Sequence, residues 1–511
     1  MNTRTEAVCC SNGGLSSVVR HMARLLFATL VCVCVSNSKP AAQAAFPHPV
    51  EPGLPNTLET QYLAIPAAAF HPKLFNYSYT NTGRKLTHLS APEVYYGEYF
   101  APLQLPDGSS IQKVTFYYDD LSVDDNCHLT LYQSMRGDVM SITPIALLHS
   151  GGYGGSGSDS TTDVWGPILV ENYLYDYYFL FQGHPTVPSQ TDLISVRVDY
   201  TLPAEQPEDE YLDIAPATFV PYSEGLAFRN EGWRLDHYNL GGGPIAHFQA
   251  PVLLPDGATV EEAKFYYFDQ ETSVNAEAHL HRTDLAGSWD PALAMADLYS
   301  SGDSGWGSDS ALVSRYSTIQ NSNNAYWVYY ALPETFVLEN TIYGRGFTIR
   351  FQRGTPGPLE AVSIPAAAFT PRAATQTFEN NGRFLKQYTG GSGSTYVAPL
   401  YLPHGKTIRR MRFYYERGGT PDYDASAWLL SYPLHGGSTS FHVLLSSSGS
   451  GWRSTDSGVL NGLRVDNMQR AYWLEWILYE GYNESDFVRP SGVVVEVADG
   501  DWFFYLPIVR R

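Results

Sequence analysis

Apolar and polar residues alternate with a period of two along short stretches of the chain. In one such stretch, Val114, Phe116 and Tyr118 fall on one side of an extended segment. Thr115 and Tyr117 fall on the other side. This alternation predicts a β-strand with one side in a core and the other in solvent. No stretch of helical length keeps a 3.6-residue period, so the pattern predicts an all-β chain.

This strand belongs to a unit that occurs three times. Its Phe-Tyr-Tyr segment begins at Phe116, Phe265 and Phe413, so successive copies are 149 and 148 residues apart. The polar side of the later copies carries Lys264 and Arg412, as expected for a sheet with one wetted side. A nearly constant offset held over several motifs indicates internal repetition.

Further blocks accompany each Phe-Tyr-Tyr segment. An Ile-x-x-Ala-x-Phe block begins at Ile65, Ile214 and Ile364. An Ala-Pro-x-x-Leu-Pro-x-Gly block begins at Ala101, Ala250 and Ala398, and its Pro and Gly predict a turn. A Gly/Ser-rich loop covers 150–160, 300–310 and 446–458. The last block places an Asn five residues before a Tyr that we expect in the core, at Asn172 and Tyr177, Asn321 and Tyr326, and Asn467 and Tyr472.

The repeats predict an all-β fold of three tandem jelly-roll-like antiparallel β-sandwich domains after an N-terminal signal peptide. Each unit is expected to have about eight or nine strands and a hydrophobic core of its own. The predicted boundaries are 1–44 for the signal peptide, 45–59 for a linker, 60–202 for the first sandwich, 203–209 for a linker, 210–353 for the second sandwich, 354–360 for a linker, 361–505 for the third sandwich, and 506–511 for a C-terminal tail.

The N-terminal segment predicts export. Arg20 and Arg24 precede an apolar run over 25–35, and Ala-Gln-Ala over 42–44 is a suitable cleavage site. Cleavage there leaves Cys127 alone among five cysteines, so no internal disulfide is expected. We expect an extracellular or cell-surface protein with no transmembrane segment in the mature chain.

The net charge of the chain excludes some classes of binding partner. The whole chain has a net charge of −20, and removing the four basic residues and one acidic residue of 1–44 brings it to −23. Such a surface repels nucleic acid and anionic lipid, so we expect no nucleic-acid partner. Polysaccharide and other envelope proteins are the partners that remain.

The succession of repeated blocks resembles a repeat found in exported bacterial proteins of unassigned function. The ending Tyr-Leu-Pro-Ile-Val-Arg over 505–510 is similar to tails on exported proteins from some of the same bacteria. The resemblance covers nearly all of the predicted mature chain. It implies export and a β-sandwich fold, and it carries no activity with it.

Two sets of residues are candidate sites. Asp119, Asp120, Asp124 and Asp125 form an oxygen-rich loop of the kind that holds calcium at the rim of a sandwich, and the alternative is a solvated acidic loop with no cofactor. Flat aromatic rings can stack on sugars. The tryptophans near the loop and Tyr blocks are candidates for that role, with burial as the alternative. They are Trp306, Trp327, Trp452 and Trp473.

Other motifs point to chemistry less specifically. Two histidines on one strand face, His279 and His281, suggest a metal pair but lack a third ligand. Gly-Asp-Ser-Gly over 302–305 copies a protease nucleophile loop without its partners. Arg-Gly-Asp over 136–138 matches an adhesive tripeptide and also fits an ordinary turn.

We therefore predict a secreted or cell-surface, non-catalytic protein with a structural, adhesive or envelope role, because the copies share no polar constellation. An array of carbohydrate-binding modules is the first alternative. A secreted hydrolase with an unrecognised site is the second.

Overall fold

The computed structural model describes residues 59–498 in three successive groups of β-strands. Short stretches within this range are outside the description, namely 75, 91–96, 123–125, 137–140, 152–153, 165–167, 184–190, 204–208, 224–225, 238–244, 272, 287–292, 302–304, 334–341, 355–358, 388–392, 419–423, 461 and 480–486. The predicted signal peptide, the first linker and the C-terminal tail also lie outside the described residues.

Group 1 forms two antiparallel sheets. Its strands are β1 (Thr60–Pro66), β2 (His71–Pro72), β3 (Ser78–Asn81), β4 (Leu86–Ser90), β5 (Gly97–Pro102), β6 (Ser110–Asp120), β7 (His128–Met135), β8 (Ile142–His149), β9 (Gly155–Thr161), β10 (Ile168–Leu169), β11 (Tyr175–Gly183) and β12 (Thr191–Thr201). The first sheet has the order β10-β6-β12-β4-β3, with β1 also paired to β12 and β9 to β6. The second sheet has the order β2-β5-β11-β7-β8.

Group 2 follows the same plan. Its strands are β13 (Glu210–Ile214), β14 (Val220–Pro221), β15 (Phe228–Asn230), β16 (Leu235–His237), β17 (Ile245–Pro251), β18 (Thr259–Asp269), β19 (Glu277–Asp284), β20 (Leu293–Tyr299), β21 (Gly305–Leu312), β22 (Asn324–Pro333) and β23 (Ile342–Gln352). The sheet orders are β15-β16-β23-β18-β21, with β13 on β23, and β14-β17-β22-β19-β20.

Group 3 repeats it once more. Its strands are β24 (Glu360–Pro365), β25 (Thr370–Pro371), β26 (Phe378–Asn380), β27 (Leu385–Gln387), β28 (Ser394–Pro399), β29 (Thr407–Arg417), β30 (Ala425–Pro433), β31 (Ser440–Ser446), β32 (Gly451–Asp456), β33 (Leu463–Arg464), β34 (Arg470–Leu478) and β35 (Val488–Ala498). The sheet orders are β24-β35-β29-β32, with β33 on β29, and β25-β28-β34-β30-β31, and β26 pairs with β27.

Each group has more strands than the eight or nine expected, because several have only two or three residues. A short 3-10 helix follows the first strand of each group, at Ala67–Ala69, Pro216–Thr218 and Ala366–Ala368. In the described ranges, no helix is long and apolar enough to span a membrane.

In each group, the Phe-Tyr-Tyr strand packs its side chains against the opposite sheet. Its first Phe contacts an aromatic ring of the opposite sheet, at Phe116–Phe181 (6.1 Å between ring centroids), Phe265–Tyr330 (5.0 Å) and Phe413–Trp476 (5.9 Å). The predicted inner side is confirmed, since Val114, Phe116 and Tyr118 are buried. The core positions predicted for Tyr177, Tyr326 and Tyr472 are also confirmed.

The asparagine of the last repeated block connects each group to the next. Its side-chain amide donates to a carbonyl of its own group and to a carbonyl at the start of the following group. The second acceptors are the carbonyl of Tyr211 for Asn172 (3.1 Å), of Ala361 for Asn321 (3.0 Å) and of Tyr62 for Asn467 (3.2 Å). Because group 3 binds group 1 as group 1 binds group 2, the three groups close into a head-to-tail ring.

A second set of contacts, between backbone atoms, also joins each group to its neighbour. The amide N–H of an asparagine in each group donates to a carbonyl of the preceding group, at Asn230 to Lys73 (2.8 Å), Asn380 to Tyr222 (2.7 Å) and Asn81 to Arg372 (2.7 Å). Isolated β-bridges accompany these bonds, at Leu74–Arg229, Ser223–Glu379 and Thr80–Ala373. These bonds use backbone atoms, so the closure tolerates different side chains in the three groups.

Ring closure changes two expectations. The outer side of the Phe-Tyr-Tyr strand was expected to face solvent, yet Tyr117 is 1 % exposed because it packs against Leu434 and its neighbours in group 3. Separate interiors were also expected, but the largest buried apolar cluster contains residues of all three groups. The described chain is one compact unit.

Candidate functional site

Two of the four candidate tryptophans lie between groups. Trp327 and Trp473 are each 1 % exposed. A glycine of the following group lies over each ring, because Gly382 approaches Trp327 and Gly83 approaches Trp473 so closely that a Cβ atom would be within 2.4 Å of the ring. In group 1, Tyr178 has the equivalent place under Gly232. A sugar cannot reach these rings in the folded chain.

The other two tryptophans are half-buried on edge strands. Trp306 on β21 contacts Phe268, with 5.0 Å between ring centroids, and the guanidinium carbon of Arg345 lies 5.1 Å from its ring. Trp452 on β32 has Arg383 at the same distance, 5.1 Å. Part of each ring remains accessible, so the ligand-binding prediction stays open for this pair.

The acidic loop is described in part. Asp124 and Asp125 lie outside the described residues. Asp119 is half-buried, and Asp120 is buried and accepts hydrogen bonds from the Ser122 amide (2.9 Å) and from the Ser150 hydroxyl. Asp120 therefore closes the local turn. Among the described residues, no three His, Cys, Asp or Glu side chains are placed to hold a metal ion, and the calcium prediction stays a prediction.

The second copy confirms the structural role of this aspartate. Asp269 accepts a hydrogen bond from the Glu271 amide (2.8 Å) and another from the Ser300 hydroxyl. The carboxylate at the end of the Phe-Tyr-Tyr strand is thus part of a repeated turn in groups 1 and 2. In group 3 the equivalent residue is Arg417, which pairs with Asp424 (3.2 Å).

The histidine pair on β19 has other partners than a shared ion. His279 Nδ1 lies 2.7 Å from Asp297 Oδ1, and its Nε2 lies 3.2 Å from Glu277 Oε2. His281 stacks on Trp327 with 5.4 Å between ring centroids, and burial lowers its pKa to about 4. The ring centroids of His279 and His281 are 5.7 Å apart. His279 is held between two carboxylates, while His281 is part of the packing around Trp327.

The remaining motifs offer no exposed reactive group in the described residues. Arg136 of the Arg-Gly-Asp segment is buried, with its Nε 2.8 Å from Asp176, so it cannot serve an adhesive surface. Residues 137–138 and 302–304 lie outside the description. Cys127 is buried, and burial raises the pKa of its thiol to about 12, which makes it a poor nucleophile.

Sequence reasoning missed a cavity where the three groups meet. It has a volume of 160 Å³, and we call it the junction chamber. Each group contributes the dipeptide that follows its 3-10 helix region, at His71-Pro72, Val220-Pro221 and Thr370-Pro371. The recurrence of a proline seven residues after each Ile-x-x-Ala-x-Phe isoleucine is the sequence signal that could have indicated these equivalent positions.

The chamber wall differs between groups. Phe219, Phe228 and Phe378 supply apolar rings from groups 2 and 3. Group 1 supplies His71 and Tyr79, at positions where the other groups have Val220 or Thr370 and Phe228 or Phe378. Burial lowers the pKa of His71 to about 4. The wall of the chamber is thus largely apolar, and its polar residues, which are uncharged at neutral pH, are His71 and Tyr79 from group 1 and Ser223, Thr370 and Gln376 from groups 2 and 3.

A smaller cavity of 30 Å³ shares His71 and Val220 with the junction chamber. It is also lined by Tyr401 and Thr218. Both residues are buried, and their hydroxyl groups have no hydrogen-bond partner in the described part of the chain. Such a cavity is large enough for one water molecule. We call it the inner cavity.

The comparisons with known proteins give distant similarities. No family model matches the chain, and no curated protein matches it. The CBM22-1–CBM22-2 tandem domain of Paenibacillus barcinonensis Xyn10C is 12 % identical over 56 % of this chain and 97 % of its own, with a TM-score of 0.19. A triple jelly-roll protein of an archaeal virus turret assembly is 10 % identical over 85 % and 91 %, with a TM-score of 0.17. An Arthrobacter globiformis T6 isomalto-dextranase complexed with panose is 12 % identical over 52 % and 37 %, with a TM-score of 0.21. At these TM-scores the similarities carry no argument.

Proposed function

We propose that this chain is an exported, non-catalytic protein with a structural, adhesive or envelope role outside the cell or at its surface. In this proposal the three strand groups are tandem jelly-roll domains that follow a cleaved signal peptide. The basic and apolar N-terminal pattern and the resemblance to exported bacterial repeat proteins support export. The other envelope proteins or polysaccharides of the same surface are its proposed partners.

The proposal rests on the role that the repeated residues have in the structure. Asn172, Asn321 and Asn467 occur in all three copies, and each binds its own group to the next one. The repeated tyrosines are core residues. Repetition therefore serves the integrity of the ring. A protein that acts through a stable surface needs such an intact ring of groups, whereas a catalyst depends on a particular set of reactive side chains.

Carbohydrate binding is the second candidate, and the accessible parts of Trp306 and Trp452 favour it. Both rings lie on edge strands, β21 and β32, that begin within the Gly/Ser-rich segments, where a polysaccharide could lie along them. In this case one molecule would bind the polysaccharide through two sites, at Trp306 in group 2 and at Trp452 in group 3, and the two sites together would raise the affinity.

Expression of the full chain in a bacterial host tests export. We expect the mature N-terminus at Ala45 by mass spectrometry, and protein in the medium or accessible to protease on whole cells. An uncleaved chain confined to the cytoplasm would contradict the proposal.

Co-sedimentation of the mature chain with insoluble polysaccharides, together with an assay for released reducing sugar, separates the two candidates. A structural role predicts no sugar release and no retention that depends on Trp306 or Trp452. Retention that is lost in Trp306→Ala and Trp452→Ala, but kept in Tyr299→Ala, would favour carbohydrate binding, since Tyr299 is an exposed aromatic outside the predicted set. Sugar release by the purified protein would overturn the non-catalytic proposal.

A further inference from the structure

We propose that the junction chamber binds one small, uncharged molecule that combines an apolar ring with a single hydroxyl group, of the size of phenol. This site is independent of the surface role proposed above. It is formed by residues of all three groups, so it exists only in the closed ring.

The volume sets the size of the ligand. The chamber measures 160 Å³. An apolar protein cavity of about 150 Å³ is known to admit benzene. A single six-membered ring with one substituent therefore matches the volume of the chamber.

The lining sets the character of the ring. Phe219, Phe228 and Phe378 surround the space, and Leu226 adds aliphatic contact. Aromatic side chains favour offset or edge-to-face contact with another aromatic ring. Transfer of an apolar ligand from water into such a place is favourable.

The absence of charge among the described lining residues sets the charge of the ligand. None of them is Asp, Glu, Lys or Arg, and His71 is neutral at neutral pH because burial lowers its pKa to about 4. An ionised carboxylate or phosphate would lose its hydration here without meeting a counter-ion. A neutral imidazole can still donate or accept one hydrogen bond.

The inner cavity supplies a second observation that points to a polar group. Tyr401 and Thr218 each have a buried hydroxyl with no partner among the described residues. Buried polar groups are normally satisfied by protein or water. Tyr401 and Thr218 line only the inner cavity, and His71 and Val220 border both cavities, so a ligand hydroxyl placed beside His71 would lie at the wall that separates the chamber from the inner cavity.

Calorimetric titration of the intact mature chain with phenol tests the proposal, with benzoate as the charged analogue. We expect saturable binding of phenol and at least tenfold weaker binding of benzoate. Val220→Phe fills the chamber from its buried wall, and Ala374→Phe fills it from an exposed position in the lining. Each is expected to weaken phenol binding at least tenfold.

Leu312→Phe is the matched control, because Leu312 is 76 % exposed and does not line the chamber. It should bind phenol like the wild type. If Val220→Phe fails to fold, Ala374→Phe decides the matter alone. The proposal is overturned if phenol shows no saturable binding, if both filled variants that fold bind it unchanged, or if benzoate binds equally well.

Discussion

The junction between groups 1 and 2 and the junction between groups 2 and 3 share their backbone contacts but differ in chemistry. At the first, Arg136 Nε lies 2.8 Å from Asp176, and the same guanidinium also pairs with Asp213 and donates to Thr348. Arg345 adds a hydrogen bond across the junction, from its guanidinium to the Met135 carbonyl (2.8 Å). This junction therefore buries a network of charges.

The second junction carries no charge at the same positions. Leu285 replaces Arg136, Ala325 replaces Asp176 and Ser363 replaces Asp213, and Leu285 and Ala325 pack in one buried cluster. The junction between groups 3 and 1 is similar, with Leu434, Ala471 and Ala64 at these positions.

The comparison shows that backbone bonds fix the geometry of the ring, while the side chains at the centre of each junction set its energetics. A buried ion pair stabilises little relative to packed apolar side chains, because both charges lose their hydration. Removing one partner alone is much more costly, since the other charge stays buried. The following predictions test this difference.

Arg136→Ala is expected to have the largest effect. It removes the cation that pairs with buried Asp176, so the free energy of unfolding should fall by about 3–5 kcal/mol. The matched change in the apolar junction, Leu285→Ala, should cost about 2–5 kcal/mol through a cavity. Urea unfolding measures both. A loss of less than about 1 kcal/mol for Arg136→Ala would contradict a buried charge network.

Gly382→Ala tests the close contact at Trp327. The new Cβ would lie 2.2 Å from Trp327 Nε1, and the backbone φ is 78°. We expect a loss of about 1–3 kcal/mol from overpacking, in addition to backbone strain. Gly451→Ala is the control, because its φ of 77° is nearly the same and no atom lies within 4 Å of a new Cβ. Equal thermal midpoints for the two variants would show that the contact is unimportant.

Asp213→Asn tests the pH dependence of the charged junction. Burial raises the pKa of Asp213 well above its ordinary value, and nearby Asp176 raises it further while Arg136 lowers it. The folded chain thus keeps a proton that the unfolded chain loses near pH 4. The contribution of this proton to the free energy of unfolding is fully present below that pH. It falls as the pH rises toward the pKa of Asp213 in the folded chain, by at most about 1.4 kcal/mol per pH unit.

Asparagine cannot ionise, so the variant should lose this part of the pH dependence. Urea midpoints of the wild type and the variant between pH 4 and pH 8 give the measurement. Ser363→Ala, at the equivalent place in the next junction, should leave the pH profile unchanged. Parallel profiles for all three proteins would remove Asp213 as the titrating group.

Exchange of Arg136 together with its two carboxyl partners is expected to have the smallest effect. The triple variant Arg136→Leu, Asp176→Ala and Asp213→Ser places the residues of the second junction at these three positions. Because Arg345, the guanidinium that remains, keeps its hydrogen bonds to the Trp233 and Met135 carbonyls, the stability should be within about 1 kcal/mol of the wild type or above it. A loss as large as that of Arg136→Ala alone would show that the network stabilises the ring.

The repeated strands and turns could be predicted from the sequence, because they depend on local patterns. The Leu-Pro-x-Gly glycines have positive φ angles, 75° at Gly108, 79° at Gly257 and 82° at Gly405, as the predicted turn requires. The inner residues of the Phe-Tyr-Tyr strand are buried because a period of two fixes which side chains share a face.

The contacts between copies could not be predicted in the same way. A repeat pattern indicates what each unit contains but not the angle at which units dock, and that angle decides whether they form a row or a ring. Tyr117 therefore has the sequence position of a solvent-facing residue and the environment of a core residue. The same uncertainty applied to Trp327 and Trp473, since an aromatic ring suits an exposed binding face and a buried junction equally well.

The bond between Asn467 and the Tyr62 carbonyl joins residues 405 positions apart. During synthesis the ribosome makes the edge strand at Tyr62 long before its partner, so the first third of the molecule must wait with an unsatisfied edge until the last third emerges. Long-range pairing of this kind slows folding. Until this final docking step, the edge at Tyr62 stays accessible to proteases and to chaperones that cover strand edges.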